Sequence, residues 1–311
     1  MKKPIANKHW EALEQQPLFD AVVYALGFEA RAIHIARTLS PKARHAFAVA
    51  FSEGHVLNFE SNREWFASTN HKIEEVADDQ FESWCQRLNE NLEENNSEII
   101  NIGIDISCFN RFRLGALIDS LRRLESSKLL RTYFWYSLAR FTPPPEYFVP
   151  NRHVGPVHPH FAGWFLEPEL PPVAVVGLGY EEDKALGAVE HIEATATWAF
   201  VPESPIGGYK TEVEEANRIL LESIPANRQI AYSVGQPMAS LATLQSLTQG
   251  LLRDSNVIML PFGPKIFTLC CLLLACSEPR LAVWRVSSLG SETPVDRVAS
   301  EFIYGLIVDW K

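Results

Sequence analysis

Apolar residues recur along this chain in short runs, each followed by a glycine or polar turn and then by a helix-like pattern. Residues 19–39, FDAVVYALGFEARAIHIARTL, begin with an apolar run, turn at Gly27 and continue with apolar positions at helical spacing. Residues 172–192, PVAVVGLGYEEDKALGAVEHI, follow the same order around Gly179. A short apolar run bounded by glycine is typical of a buried strand, and a 3.6-residue apolar period is typical of a helix. Both segments therefore predict a strand, a tight turn and a helix.

The two segments look like copies of one pattern, because their glycine, the next aromatic residue and the following glutamate coincide when Gly27 is set against Gly179. Three further pairs of predicted strands follow at nearly constant spacing: 45–53 with 197–204, 98–107 with 256–265, and 129–138 with 280–289. Acidic helical stretches near 73–95 and 210–223 separate the second strand from the third. Strands that alternate with helices predict βαβ units. The predicted fold class is α/β, with mostly parallel sheets in two tandem Rossmann-like halves related by an internal duplication.

The predicted halves cover residues 1–141 and 172–311. Residues 142–171 between them are rich in proline, aromatic and histidine residues, which predicts an ordered linker because disordered segments carry few aromatics. The segment 225–250 lacks an evident counterpart and predicts an added strand, QIAYSV, and an added helix, MASLATLQSLTQGLL. The C-terminal VASEFIYGLIVDWK predicts a closing helix or strand of the second half.

Composition and charge narrow the class of protein. Hydrophobic residues make up 47% of the 311 positions, enough for a substantial core, and the net charge of −10 opposes bulk binding of nucleic acid. The five cysteines are odd in number and form no CxxC pair, which predicts buried thiols in a reducing compartment. The N-terminus lacks the apolar region of a secretory signal, and the longest apolar run, 266–276, is too short to span a bilayer. A cytoplasmic protein with no membrane segment is expected.

Ligands of open α/β sheets bind beyond the carboxyl ends of the strands, where loops and helix N-termini supply amide donors and a positive dipole end. The candidate ligand-binding residues at such ends are Gly27, Glu29, Arg31, Asp105, Ser107, Arg111, Arg113, Gly179, Glu181, Gly263 and Lys265. Gly27 and Gly179 permit a sharp turn close to a ligand, and ordinary turn chemistry explains them equally well. Glu29 and Glu181 would lie in a first helical turn, where the dipole favours a carboxylate with or without a function.

The third strand of the first half ends in Asp105-Ile106-Ser107. Asp105 would orient a hydroxyl group or a metal ion, or fix the loop, and Ser107 would cap the next helix. Arg111 and Arg113 stand at the start of that helix, where cations oppose the dipole. A bound anion explains their placement, and so does a solvent-facing orientation.

The corresponding strand of the second half ends in Gly263-Pro264-Lys265, and Lys265 opens a run that is otherwise wholly apolar from Ile266 to Ala275. A single cation at such a helix N-terminus predicts contact with a phosphate, and a solvated cap is the alternative. The chain shows neither GxxxxGK[ST] nor GxGxxG spacing, so neither a Walker motif nor a nicotinamide cofactor is predicted. Serine-hydrolase elbows, HExxH and Cys/His pairings are also absent from the sequence.

Two other groups of residues have a chemical and a structural interpretation. His158 and His160 would point the same way on an extended strand and would suit a metal. Neither they nor His153 have a carboxylate or thiol residue at a spacing typical of metal ligands, so no metal site is predicted. The aromatic run 133–136 is predicted to lie in the core rather than to form a platform for stacking bases.

Two motifs carry a resemblance to a known family. IDISCFNRFRLGALI (104–118) resembles the strand end with an acidic and a hydroxyl residue found in CRISPR-associated Rossmann-fold (CARF) domains, and LPFGPKIFTLCCLLLA (260–275) resembles their glycine-lysine helix start. The tandem arrangement is similar to the SAVED domain. The resemblance implies a sensor of cyclic oligonucleotides in bacterial antiviral defence, with Asp105, Ser107 and Lys265 as ligand contacts. The chain departs from it where Pro261-Phe262-Gly263-Pro264 replaces a threonine-rich element, and no effector domain is recognisable.

Three hypotheses of function follow. The first is a sensor or regulatory protein that holds a nucleotide or other phosphorylated ligand between its halves and acts through a separate partner protein. The second is an enzyme acting on a nucleotide or sugar phosphate, with Asp105 or Glu29 as general base and Lys265 stabilising negative charge. The third is a structural subunit in which the duplication serves assembly.

Overall fold

The apolar run FDAVVYAL forms a strand whose eight residues are all buried, as a central strand covered on both faces requires. The structure is a computed structural model and describes residues 1–10, 16–93, 97–144, 151–163, 165–287 and 293–311. Parts of the predicted linker (145–150 and 164), of the acidic stretch (94 and 95) and of the predicted strand 280–289 (288 and 289) lie outside the described residues. The chain divides into two units, Met1–Arg140 with Pro294–Lys311, and Phe141–Thr293.

The helices and strands are numbered in chain order. The first ten are β1 (Pro4–His9), β2 (Phe19–Leu26), α1 (His34–Leu39), β3 (Ala43–Phe51), α2 (Phe59–Ser68), β4 (Lys72–Val76), α3 (Phe81–Glu93), β5 (Ile99–Asp105), α4 (Arg111–Arg123) and β6 (Leu129–Ala139). They are followed by β7 (His153–Pro156), β8 (Pro172–Gly177), α5 (Lys184–His191), β9 (Ala196–Glu203), α6 (Tyr209–Ala216), α7 (Arg218–Ser223), β10 (Gln229–Ser233), α8 (Pro237–Leu251), β11 (Asn256–Pro261), α9 (Lys265–Ser277), β12 (Ala282–Ser287) and β13 (Ala299–Trp310). Within the described ranges, none of the helices combines the length and the apolar character that crossing a membrane requires.

The first unit contains a seven-stranded sheet in the order β1-β13-β6-β5-β2-β3-β4. The strands from β4 to β6 pair in parallel, whereas β13 and β1 add two antiparallel pairings at one edge. The second unit contains a six-stranded sheet in the order β10-β9-β8-β11-β12-β7. Its strands from β10 to β12 pair in parallel, and β7 is antiparallel to β12. The predicted α/β class with mostly parallel sheets is confirmed.

The two sheets share one topology. In each unit the chain runs through five parallel strands in the spatial order 3-2-1-4-5, and an antiparallel strand lies beside the fifth. The segment 225–250 was predicted to be an addition, but β10 and α8 occupy the positions of β4 and α3. The match is hidden in the sequence because β4, KIEEV, is a short charged edge strand within a stretch whose composition favours a helix.

The C-terminal strand β13 belongs to the first unit, although its sequence position placed it with the second half. Its backbone pairs with β6 over most of its length and with β1 on the other side, for example Leu306 with Phe134 and with His9. Long-range pairing of this kind leaves no local trace in the sequence. Part of the predicted linker also forms sheet, since β7 pairs with β12 through His153 and Ser287.

Most of the aromatic run on β6 lies in the core, as predicted, because Phe134 and Trp135 are fully buried and Tyr136 is nearly so, whereas Tyr133 is partly exposed. The Trp135 ring occupies the space above Gly103 on the neighbouring strand, where a Cβ atom would overlap it. In the second unit, α9 is buried at every position from Ile266 to Cys276. Burial raises the pKa of Cys270 to about 12, so this thiol is inert at neutral pH.

Candidate functional site

Each unit has a topological switch point between its two most central strands. β2 and β5 are neighbours, and their connections lead in opposite directions along the sheet, to β3 and to β6. β8 and β11 are the matching neighbours in the second unit. A crevice at such a point, beyond the carboxyl ends of the strands, is the usual ligand site of open α/β sheets. The predicted loops begin at these two points, because Gly27 follows β2, Asp105 ends β5, Gly179 follows β8 and Gly263 follows β11.

The loops of each switch point lie against one another. In the first unit, a Cβ atom on Gly27 would lie 3.8 Å from the Cβ atom of Cys108. In the second unit, the amides of Phe262 and Gly263 donate to the Gly177 carbonyl oxygen at 2.8 and 3.0 Å. The structure therefore brings the loops after β2 and β5 together in the first unit, and the loops after β8 and β11 together in the second.

Glu29 and Arg31 form an ion pair at the first switch point. Arg31 Nε donates to Glu29 Oε2 at 2.5 Å, and Arg31 Nη1 donates to the Ser137 carbonyl oxygen at 2.9 Å. Burial opposes the charge of Arg31. The nearby Glu29 in the first place, and Tyr136 and Cys108 after it, outweigh this effect and raise the pKa of the guanidinium. The Arg31 side chain is only 5% exposed, so the pair joins the β2 loop to β6.

Asp105 and Ser107 are directed at each other. Asp105 Oδ1 accepts hydrogen bonds from the Ser107 amide at 2.9 Å and from the Ser107 hydroxyl at 2.5 Å. The Ser107 hydroxyl oxygen accepts in turn from the Ser137 amide at 2.8 Å. Both residues are buried, and burial together with the charge of Asp105 raises the pKa of Tyr24. These contacts give Asp105 and Ser107 a loop-fixing role.

The helix that follows is capped by Asn110 and not by Ser107. Asn110 Oδ1 accepts from the Arg113 amide at 2.7 Å, as an N-cap does. Arg111 is the first residue of α4 and is partly exposed. The sequence prediction placed the cap three residues too early, at Ser107, because serine and asparagine are both good N-caps and the loop between the two residues is irregular.

Arg113 has a structural role rather than a place at a ligand. Its guanidinium donates to Asp78 Oδ1 at 2.6 Å, to the Ala50 carbonyl oxygen at 3.1 Å and to the Val76 carbonyl oxygen. The Phe51 ring lies 3.9 Å from the guanidinium carbon. The side chain is 1% exposed and therefore ties the ends of β3 and β4 to α4.

In the second unit, the candidate residues are more accessible to solvent. Glu181, Gly263 and Lys265 are all partly exposed, whereas Gly179 is buried. A Cβ atom on Gly263 would overlap the Leu178 carbonyl oxygen, so the close approach of the two loops requires glycine there. The Glu181 carboxylate lies beside Gly179, close to the loop of Phe262 and Gly263 that leads to Lys265.

Arg111 and Lys265 occupy equivalent positions. Each is the first residue of a 13-residue helix that follows the fourth parallel strand of its unit, which is β5 in the first unit and β11 in the second. Neither helix has an acidic residue in its first turn. A cation at this position opposes the helix dipole, so its own charge does not stabilise the helix. The arrangement favours an anion near both helix starts, and at α4 the Asp78 carboxylate supplies one, since it accepts from Nδ2 of the N-cap Asn110 at 3.1 Å.

Two buried asparagines hold the glycine loops in the same way, and sequence reasoning missed both. Asn62 Nδ2 donates to the carbonyl oxygens of Gly27 and Glu29, each at 2.9 Å. Asn217 Nδ2 donates to the carbonyl oxygens of Gly179 and Val213, each at 2.7 Å. Asn62 lies on α2 and Asn217 lies between α6 and α7, which are matching places in the shared topology. A lone asparagine among apolar positions at helical spacing was the signal that could have identified them.

Replacing Asn217 by alanine is expected to lower the free energy of unfolding by about 2 kcal/mol, because two buried carbonyl oxygens lose their donor. Asn62→Ala should have a similar effect in the first unit. The control is Asn91→Ala, since Asn91 is exposed and bonds only within its own helix. Chemical denaturation of the three variants measures the effect, and equal stability of all three would contradict the role of the buried asparagines.

The histidines of the predicted linker do not lie on an extended strand. His158 caps the short turn 159–161 and accepts from the His160 amide at 3.5 Å, and the two rings stack with centroids 5.3 Å apart. His153 lies separately on β7 and is exposed. The two histidines therefore lie on a turn and not on the extended strand that the sequence suggested, although one ring nitrogen of each lies within 4.8 Å of the other.

Comparison with known proteins adds little to this geometry. No protein-family model matches the sequence, and no curated protein matches it with statistical significance. Among solved structures, the cytoplasmic domain of a prokaryotic cation chloride cotransporter aligns over 89% of this chain and 98% of its own length, with 10% identity and a TM-score of 0.26. A TM-score this low bears on neither fold nor function.

Proposed function

We propose that this protein binds a nucleotide or another phosphorylated ligand at the carboxyl ends of its central strands and acts as a sensor or regulatory protein. The observation that carries the proposal is the equivalent placement of Arg111 and Lys265, each opening a helix at a switch point. A phosphate at either place would meet backbone amides, the positive end of the helix dipole and a cation.

The second unit offers the better site. Lys265 is partly exposed and stands two residues after Gly263, at the N-terminus of α9. The helix is uncharged beyond this residue, so the lysine is the charged group that α9 presents at the carboxyl end of β11. At the first switch point, Arg31 and Arg113 make contacts within the fold.

The contacts of Asp105 and Glu29 favour a binding protein over an enzyme, because both carboxylates are engaged within the fold. A general base must reach the proton that it removes. Asp105 is 2% exposed and accepts from Ser107, and Glu29 is engaged by Arg31. A role in antiviral defence through a separate effector protein stays a prediction from the CARF and SAVED resemblance.

Replacing Lys265 by methionine is expected to weaken ligand binding about 10-fold to 100-fold, because a charge-assisted hydrogen bond contributes about 1.5–3 kcal/mol. The ligand is first identified by thermal shift against cyclic dinucleotides, linear and cyclic oligoadenylates, ATP and sugar phosphates. Calorimetric titration of the variant then gives the change in Kd.

The matched control is Lys210→Met, which removes the same charge from an exposed position on α6. Its affinity for the ligand should equal that of the wild type. The proposal fails if no compound of the panel shifts the melting temperature, or if Lys210→Met and Lys265→Met weaken binding equally.

A further inference from the structure

Three aromatic side chains lie together at the loop that follows β8 in the second unit. Tyr180 stands directly after Gly179, Tyr209 is the first residue of α6, and Phe141 is the first residue of the unit. All three aromatic residues are partly exposed. The ring centroids of Tyr180 and Tyr209 are 5.7 Å apart, and those of Tyr209 and Phe141 are 5.3 Å apart. These three side chains form the aromatic cluster of the second unit.

The aromatic cluster lies beside the second switch point. Gly179, which precedes Tyr180, is in contact with the neighbouring loop, since a Cβ atom there would lie 3.1 Å from the Phe262 carbonyl oxygen. Phe262 belongs to the loop that leads to Lys265 at the start of α9. Tyr180 is therefore one residue from the contact that joins the two loops, and the cluster borders the proposed phosphate site.

Two positions of the cluster are aromatic in both units. Phe28 and Tyr180 follow the glycines after β2 and β8, and Phe59 and Tyr209 open α2 and α6. In the first unit, the His55 ring lies flat on the Phe59 ring, with centroids 3.9 Å apart and an angle of 12° between the planes. Phe59 is only 3% exposed in this arrangement. The fold therefore accepts a planar ring against the aromatic residue that opens this helix.

The equivalent loop of the second unit supplies no such ring. Its sequence, SPIGG (204–208), contains neither a histidine nor an aromatic residue, whereas His55 stands four residues before Phe59. The two ring contacts that Tyr209 makes within the aromatic cluster are tilted at 42° and edge-to-face at 89°, so neither is a parallel stack. Because Tyr209 is partly exposed, a planar ring from a ligand has access to it.

We propose that the second unit binds a nucleotide, whose base stacks on the aromatic cluster while its phosphate meets Lys265. The inference rests on the proposed function and narrows the ligand from any phosphorylated compound to one that carries a base. Aromatic side chains stack on every base, because each base has a π-face. The Glu181 carboxylate, in the same loop as Tyr180, suits the ribose hydroxyl groups, which are hydrogen-bond donors.

The first test compares phosphates with and without a base. ATP, GTP and cyclic di-AMP are titrated by calorimetry beside ribose 5-phosphate and inorganic triphosphate. The tightest nucleotide is expected to bind at least about 5-fold more tightly than either base-free compound, since one stacked base strengthens binding about 5-fold to 150-fold. Base-free compounds that bind as tightly would overturn the stacking and leave the proposed phosphate site standing. The stacking is also overturned if none of the three nucleotides binds.

Tyr209→Leu removes a ring but keeps an apolar side chain, and it is expected to weaken binding of the tightest nucleotide at least about 5-fold. Tyr180→Leu should act in the same direction. The matched control is Tyr304→Leu, since Tyr304 is a partly exposed tyrosine on β13 of the first unit. Nucleotide affinity that is equal in Tyr209→Leu and Tyr304→Leu would contradict the stacking.

A measurement on the wild-type protein makes the test independent of how the variants fold. In saturation-transfer difference spectra of the bound nucleotide, the base protons should be saturated more strongly than the ribose protons. Stronger saturation of the ribose would overturn the stacking. Lys265→Met separates the two proposals, because unchanged nucleotide affinity in this variant contradicts the proposed function, whereas the tyrosine variants report on the base alone.

Discussion

Replacing Arg113 by alanine is expected to destabilise the first unit by about 3–4 kcal/mol, because buried carbonyl oxygens lose their donor and a large buried side chain is removed. The substitution removes the donor to the Ala50 and Val76 carbonyl oxygens at the ends of β3 and β4. It also leaves a cavity between the Phe51 and Phe81 rings, which lie on the guanidinium at 3.9 and 4.9 Å.

Hydrogen exchange followed by mass spectrometry is the suitable measurement, because a chain of two units need not unfold in one step. Amides of β3 and β4 should exchange faster in Arg113→Ala, while those of β8 and β9 provide an internal reference. Arg87→Ala is the control, since Arg87 is 57% exposed and its 3.8 Å contact with Glu74 is worth at most about 1 kcal/mol. Unchanged exchange in β3 and β4 would show that Arg113 does not stabilise these strands, and Arg113 would again be a candidate ligand-binding residue.

Gly263→Ala is expected to separate the loops that follow β8 and β11, with a loss of about 1–3 kcal/mol in stability from overpacking. The added Cβ atom would overlap the Leu178 carbonyl oxygen, a backbone atom that cannot move by a change of rotamer. Because Lys265 follows two residues later, the displacement should also weaken ligand binding about 10-fold or more.

The control for this substitution is Gly250→Ala in α8. A Cβ atom there meets nothing within 4 Å, so alanine should stabilise the helix by about 0.5–1 kcal/mol. Thermal unfolding and calorimetric titration compare the two variants. A Gly263→Ala protein with wild-type stability and affinity would refute the tight contact between the loops.

Much of the fold was predictable because it depends on local patterns. The paired apolar runs around Gly27 and Gly179 identified the first parallel strand of each unit and the helix after it, and the strand-end position of Lys265 followed from the same periodicity. β4 escaped detection because an exposed edge strand needs little apolar surface, and its glutamates favour a helix when they are considered alone.

The candidate site was predictable in position but not in detail. Strand ends at a switch point follow from the order of elements, and all four predicted loops lie there. Which charged side chains remain accessible does not follow from that order. Arg111 and Arg113 are two residues apart in one helix, yet Arg113 is 1% exposed because the strand ends and two phenylalanine rings surround it.

The sequence by itself determined the alternation of strands and helices, the repetition of that pattern and the placement of glycines at the strand ends, because each depends on residues close together in the chain. Only the tertiary structure decided that β13 completes the first sheet and that Asp105 and Ser107 bind each other rather than remaining accessible. It also decided that Asn62 and Asn217 hold equivalent loops. These outcomes depend on contacts between residues far apart in sequence, whose energy is gained only when the backbone pairs and water is excluded.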